Sequence, residues 1–478
     1  MWSALNLLKR SLQKWRIPLQ DHPDPRLHLS WNWAQLALIV LPFSPLLASF
    51  GIFFALLALW KTHARLMLAR PFNQGLIALS ILMLLSATFA AHPGDAFLGL
   101  FNFLPFFLGF AVLSELIQSP AQLRRMAWIV VYTSVPVVLI GLLQMLAGSM
   151  GWQQPFHPQI LWVLLEWNID PKGTPPGRMS SIFFYANVLA SYLVISFSLA
   201  MGLWMEAVGE GRRTKNQEAH KIPNPKSQIP NWLSCHSQVL FLTLVFVGNA
   251  IALILTNSRN AWVIATIACL ACGLYRGWYW LWMGVSAVAG IVLGASFAPS
   301  PLREGLRHIV PAFFWARLTD ELYPDRPVPT LRTTQWQFAL HLTQQRPWTG
   351  WGLRNFSPLY EAATQFKLGH PHNLPFMLLC ETGIPATLLF LGLVGWAVVQ
   401  GFRQLSSFGD GRDRWILLTF LIAFLSCAGF SLFDITLFDA RLNWYGWFLL
   451  AGILGVSRPS MRMRDEGWGI IHFLRDHD

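Results

Sequence analysis

The sequence predicts an all-α, polytopic membrane protein with about 12 transmembrane helices, within a range of about 10–12. Three observations carry this. Hydrophobic residues make up 54% of the 478 and charged residues only 12%, about half the charged share of a soluble domain. Apolar runs of about 17–25 residues recur, the length that crosses a bilayer as a helix. Lys and Arg collect between alternate runs, as they do in cytoplasmic loops. The net charge of +12 therefore has an explanation that needs no nucleic acid.

Spans are expected near 33–46, 48–60, 72–91, 96–117, 125–147, 181–206, 237–255, 258–275, 278–297, 373–402, 415–433 and 442–457. Both the N-terminal segment 1–30 and the stretch with Lys61, Arg65 and Arg70 are basic. If both are cytoplasmic, 33–60 is a hairpin that enters and returns. Segment 1–30 shows no clean signal-peptide core, and Leu5, Leu8, Leu12 and Trp15 suggest a short amphipathic helix on the inner surface. The transmembrane part runs over 31–297, interrupted by a polar cytoplasmic linker at 207–236, and resumes over 373–457. A cytoplasmic tail follows at 458–478. Both termini then face the cytoplasm of a multi-pass inner-membrane protein. Segment 298–372, about 75 residues, exceeds ordinary connections and is expected to be a folded, functional periplasmic loop. Within it 331–345 reads as a helix. Cys269 and Cys272 form a CxxC on an apolar helix with no second pair, which reads as packing.

Under this topology the unusual polar groups gather on the outer face. Arg178 precedes a span and Asn187 lies inside it. Arg259 sits in "TNSRNAW", Arg332 opens the loop helix, and Arg346 and Arg354 flank "PWTGWGL". His370, His372 and Asn373 lie in "KLGHPHNL", and Asp434, Asp439 and Arg441 in "FDITLFDAR". Each has a plain structural reading. Arg178 and Arg259 fit interfacial anchors, Asn373 a helix cap, Asp439 with Arg441 a local ion pair, and Gly350 with Gly352 a turn.

Taken together they suit one chemistry. A zinc site needs three or four ligands, and HxH supplies two, so no metal and no cofactor is expected. Guanidinium groups bind phosphates bidentately, and a neutral imidazole can deprotonate a hydroxyl. That pair of tasks describes glycosyl transfer from a pyrophosphate-linked lipid.

The motifs "NSRNAW", "WTGWGLRNF" and "HPHNLPFMLLCETGIPA" resemble the O-antigen ligase and polymerase family of bacterial envelope glycosyltransferases. The ligase-like region is expected at about 240–430. The closing "SLFDITLFDARLNWYGWFLLAGI" is similar to a cyanobacterial subgroup labelled putative bicarbonate transporters, or inorganic-carbon-accumulation proteins. The resemblance implies a helical GT-C-like bundle, a periplasmic site and an undecaprenyl-pyrophosphate glycan donor, with membrane lipids as surroundings. It implies that His372 is the catalytic or positioning histidine and that Arg259 and a loop arginine, Arg332 or Arg354, contact pyrophosphate; Arg178, read from the residues alone, is a further candidate for that contact. His370, Asn373 and Asn187 would support. An anion transporter is the alternative; it should place ionisable groups near the bilayer midplane, whereas here they crowd one face.

Overall fold

The computed structural model describes residues 20–156, 167–218, 231–319, 321 and 327–457. The expected amphipathic helix near the N-terminus, residues 219–230 of the expected 207–236 linker and the C-terminal tail lie outside the described residues. All the regular structure among the described residues is helical: α1 (His28–Val40), α2 (Pro45–Ala69), α3 (Pro71–Thr88), α4 (Pro93–Gly99), α5 (Leu104–Leu116), α6 (Pro120–Ser149), α7 (Ala186–Glu218), α8 (Asn231–Leu255), α9 (Arg259–Tyr275), α10 (Tyr279–Phe297), α11 (Leu302–Ile309), α12 (Ala312–Leu318), α13 (Arg332–Gln345), α14 (Phe356–Thr364), α15 (Leu374–Ser407), α16 (Gly411–Phe430) and α17 (Ala440–Val456).

Each expected span falls on a helix. Nine helical segments among the described residues are long and apolar enough to cross a membrane, and α9 is a shorter apolar helix. This is a multi-pass membrane protein. The 13-residue α1 falls short of a full crossing, and the 17-residue α17 lies at the lower limit for one. Both are packed against protein rather than lipid: α17 is buried along nearly its whole length, and α1 buries Trp31, Ala34, Ala37 and Leu38. A short helix is tolerated at membrane depth where protein surrounds it. α7 continues to Glu218, beyond the expected end at 206.

Many of these starts are legible in the residues. Ser119 caps α6 in a capping box with Gln122, Ser44 caps α2, and Asp439 caps α17. Pro occupies the first turn of α2, α3, α4 and α6, where its missing N–H costs nothing.

The loops sort onto two ends of the bundle. One end holds the basic residues in ion pairs: Arg124 with Glu206 (2.7 Å) and Asp413 (2.9 Å), Arg412 with Glu206 (3.1 Å) and Glu210, and Arg70 with buried Glu115. His22, near the start of the described chain, bonds Leu116 O at this same end. Phe43 lies at the other end, where its carbonyl accepts from Trp167 (2.9 Å), so α1 and α2 form the expected hairpin. That other end carries the polar residues singled out above.

α15 is broken there. Gly383 has φ 81° and ψ 172°, and Pro385 follows, which disfavours helix at Ile384. The backbone groups freed by the break, two carbonyls and one N–H, are taken up by the "PWTGWGL" segment. Trp351 N donates to Cys380 O (2.9 Å), Gly352 N to Glu381 O (2.8 Å), and Ile384 N to Pro347 O (2.8 Å). Ser86 Oγ of α3 also donates to Glu381 O (3.0 Å). The buried Glu381 carboxylate accepts from Phe356 N (3.1 Å) at the start of α14, where the helix dipole favours a negative charge. Thus the glycines do more than make a turn. Gly350 (φ +67°) lies so close that a Cβ would stand 2.5 Å from the Glu381 carbonyl, and a Cβ on Gly383 would stand 2.5 Å from Trp348 O. Gly350→Ala and Gly383→Ala are each expected to cost about 1–3 kcal/mol or more from positive φ and clash. Thermal melts in detergent check this; a melting temperature equal to wild type would refute the latch.

Candidate active site

Four segments meet at the polar end: the 170–185 stretch entering α7, the α8–α9 turn, the approach to α15, and the α16–α17 connection. His372 stands at their junction with φ +53°, a left-handed conformation uncommon for a residue with a side chain. Ser181 (φ +52°) and Asn257 (φ +49°) hold the same kind of backbone in two of the adjoining segments. Strained backbone of this kind clusters at functional sites. Pro371 precedes His372, and its carbonyl accepts from Trp336 Nε1 of α13 (3.0 Å). Asn373 caps α15, accepting from Phe376 N (3.0 Å) and donating to Leu432 O (3.0 Å). The expected cap is therefore present, and it also ties α15 to the α16–α17 connection.

The His372 ring makes a 3.0 Å bond through Nδ1 to Asp434 Oδ1. A carboxylate only accepts, so Nδ1 carries the hydrogen, and in the neutral ring Nε2 carries the lone pair. Asp434 is itself held: Oδ1 also accepts from Ile435 N (3.0 Å), and Oδ2 accepts from Asn187 Nδ2 (2.7 Å). Asn187 Oδ1 in turn accepts from Arg178 Nη2 (2.6 Å), and Arg178 Nε donates to Thr256 O (2.7 Å). The chain Arg178–Asn187–Asp434–His372 runs through three of the segments and ends on an imidazole whose side chain is 32% exposed. Asp434 was visible in the sequence only as an outer acidic group without a role. An acid in otherwise apolar "SLFDITLF" is the signal that could have flagged it, since a buried carboxylate needs partners.

Electrostatics follow from this packing. Burial works to raise the Asp434 carboxyl, but the bond and charge of His372, with His370 and Asn187, hold it below the ordinary aspartate range. Burial lowers the Arg178 guanidinium from its ordinary value; Asp434 opposes that, and the neighbouring charge of Arg259 adds to it. Arg178 and Arg259 are thus close enough to feel one another. His370 differs from His372. Burial, then the charge of His372, pushes it down to about 4, against Asp434. Its Nδ1 accepts from His372 N (3.2 Å), and its ring packs edge-on against the His372 ring at 4.6 Å. His370 is a neutral brace for the left-handed turn.

The two loop arginines part company. Arg332 lies one turn before Trp336 on α13, and residues four apart share a helix face, so it stands on the side of α13 that meets Pro371. Arg354 (φ +63°) belongs to the α15 latch, where its backbone and charge act on Glu381. His370, His372 and Asp434 also bring ligand-type atoms within 4.8 Å of one another, but the Nδ1 of His372 is committed to the carboxylate. Asp439 and Arg441 form the expected local pair (2.7 Å), with Arg441 fully buried over the Phe183 ring. Cys269 and Cys272 are packed in the helix bundle, and both are free thiols.

Residues 242–391 match the model of the O-antigen ligase family. The chain carries an O-antigen ligase domain. The ligase domain begins in α8 and ends within α15, so it contains Arg259, Arg332, Arg354, His370 and His372. Arg178, Asn187 and Asp434, which complete the hydrogen-bonded chain, lie outside it. The match is to the family and does not resolve the cyanobacterial subgroup. No curated protein matches the chain.

Proposed function

We propose that the protein is a glycosyltransferase that moves a glycan from a lipid pyrophosphate to an acceptor hydroxyl, without a metal, at the periplasmic face of the inner membrane. The observation that carries this reading is the His372–Asp434 pair: a carboxylate-oriented imidazole, open at Nε2, beside fixed positive charges. Nε2 of His372 takes the acceptor proton as the acceptor oxygen attacks the anomeric carbon. The bond from that carbon to the pyrophosphate oxygen breaks, and the lipid pyrophosphate leaves as an anion. Arg259 and Arg332 hold the leaving pyrophosphate and stabilise its growing charge. Arg178 already spends two N–H groups on Thr256 and Asn187, so it positions the relay and adds charge. The proton on His372 passes to water after product leaves.

The test is transfer in proteoliposomes with a lipid-pyrophosphate glycan donor. Wild type is expected to transfer. Arg332→Gln is expected to raise the donor KM or lower kcat by about 10²-fold or more, on the scale of losing a charge-assisted phosphate contact. Arg354→Gln is expected to lower thermal stability first and to spare donor binding in the folded fraction. Equal losses in donor binding for the two variants would sink the assignment. Wild type that transfers no glycan, yet moves labelled bicarbonate, would sink the enzyme.

A further inference from the structure

The long connection from α10 to α15 opens with two short helices, α11 and α12, that stay against the end of α10. Leu306 of α11 sits over Gly294, where an added Cβ would stand 2.7 Å from its Cδ1. Arg307 fixes the pair in place. Its Nε donates to Ala295 O (3.0 Å), its Nη2 pairs with Glu321 (3.1 Å), and its guanidinium lies 3.8 Å from the centre of the Trp315 ring of α12. Trp315 Nε1 donates to Val310 O (3.2 Å), which closes α12 onto the end of α11. Both helices are therefore held at the depth of the last turn of α10.

That depth is a membrane boundary. α10 is one of the apolar membrane-crossing helices, 19 residues long. It rises about 28 Å, close to the bilayer's hydrocarbon thickness of about 30 Å. Its Val288, Leu293 and Phe297 are exposed, so lipid covers this side of it. The residues of α11 fall into stripes. Leu302, Leu306 and Ile309 follow one another at spacings of four and three, and the exposed Glu304 and His308 lie on the opposite side. Only the middle of the apolar stripe meets α10. Leu302 is 59% exposed and Ile309 77%, so the stripe continues past α10. On α12, Phe314 and Leu318, four apart and so on one face, are exposed as well.

We propose that α11 and α12 lie in the membrane interface, with Leu302, Ile309, Phe314 and Leu318 inserted among phospholipid acyl chains on the side of the bilayer that carries the site. Helices of this pattern settle about 5–10 Å into the boundary between headgroups and chains. Two observations select phospholipid as the occupant. The apolar stripe is continuous with the lipid-facing side of α10, and the polar stripe of Glu304 and His308 lies opposite, where water is. The start of the long connection is thus anchored in the bilayer, and α13, which bonds Pro371 beside His372, is fed to the site from a fixed point. The inference stands apart from any reading of the reaction.

The experiment places p-benzoylphenylalanine at one position at a time in the full chain, reconstituted in phosphatidylcholine nanodiscs, and reads photoadducts by mass. Position 288 of α10 serves as the lipid-facing control. Positions 309 and 318 are expected to give phospholipid adducts at least fivefold more often than positions 304 and 308. Equal yields at the four positions overturn the proposal. So does crosslinking of 309 and 318 to a second copy of the chain in place of lipid, which would make the face a protein interface. Hydrogen exchange is an independent measure that needs no bulky probe. Leu302→Glu with Ile309→Glu is expected to speed exchange of the α11 amides at least tenfold in nanodiscs and to leave α10 unchanged. Both side chains are exposed in the protein, so α11 exchange within twofold of wild type would place the helix in water and overturn the proposal.

Discussion

His372→Ala is expected to abolish glycan transfer while leaving the protein folded and the donor bound. A positioned base contributes about 10²–10⁴-fold to rate, and alanine removes it without touching Arg259 or Arg332. The side chain is partly exposed and its hydrogen-bonded partner is Asp434. Asp434 keeps Ile435 N and Asn187 Nδ2 after the change, so no unpaired buried charge drives unfolding. The readout is kcat in proteoliposomes with donor binding measured separately. Retained turnover within tenfold of wild type would remove His372 from the chemistry. His370→Gln is the counterpart. His370 is held down to about 4, so it is neutral throughout the working range and its charge cannot shape an acid limb between pH 5 and 7. The variant is expected to keep the wild-type pH profile with a modest loss in rate. A shifted acid limb would show that the two histidines titrate together.

Asp434→Asn is expected to lower kcat by about 10²–10⁴-fold, the range expected when the residue orienting a catalytic histidine can no longer fix its tautomer. The reason is the count of donors around it. Asp434 accepts from His372 Nδ1 and Ile435 N on one oxygen and from Asn187 Nδ2 on the other. An asparagine offers a single acceptor oxygen, so either the histidine or Asn187 faces an amide N–H. If the histidine does, it turns to the other tautomer and Nε2 carries the hydrogen, which is useless for a base. Linkage gives a second readout. The Asp434 carboxyl is held below its ordinary value, so it contributes stability above that ordinary value, about 3.9, and loses it as pH falls through the folded value. The asparagine variant should lose this acid-side dependence, and a melting-temperature profile against pH detects it. Full activity in Asp434→Asn would reduce the Arg178–Asn187–Asp434–His372 chain to packing.

Much of the architecture was legible before any coordinates. Each expected span lies on a helix, including the α1–α2 hairpin inferred from charge alone, because a bilayer permits few alternatives for an apolar run. The helix at 331–345 and the Asn373 cap were legible too, from local pattern. Helix lengths were less so. α7 continues to Glu218 through residues whose polar composition read as linker, because polarity marks the end of the membrane and not the end of a helix. At the site, the histidines and arginines stood out as residue types costly at a membrane face. Asn187 and Asp434 stood out among the polar groups too, but which residue each would bond did not.

The chain by itself determined where the membrane helices lie and which face collects the polar groups, since both follow from the transfer energetics of single residues and short windows. Tertiary structure alone decided who meets whom. Asp434 reaches His372 from 62 positions away and Asn187 from 247, a separation that no local pattern encodes. It also parted the two loop arginines, leaving Arg332 at the start of α13, one turn before the Trp336 that bonds Pro371, and drawing Arg354 into the break at Gly383. The physical reason is that buried polar groups must find partners wherever the fold brings them, and only packing specifies which ones arrive.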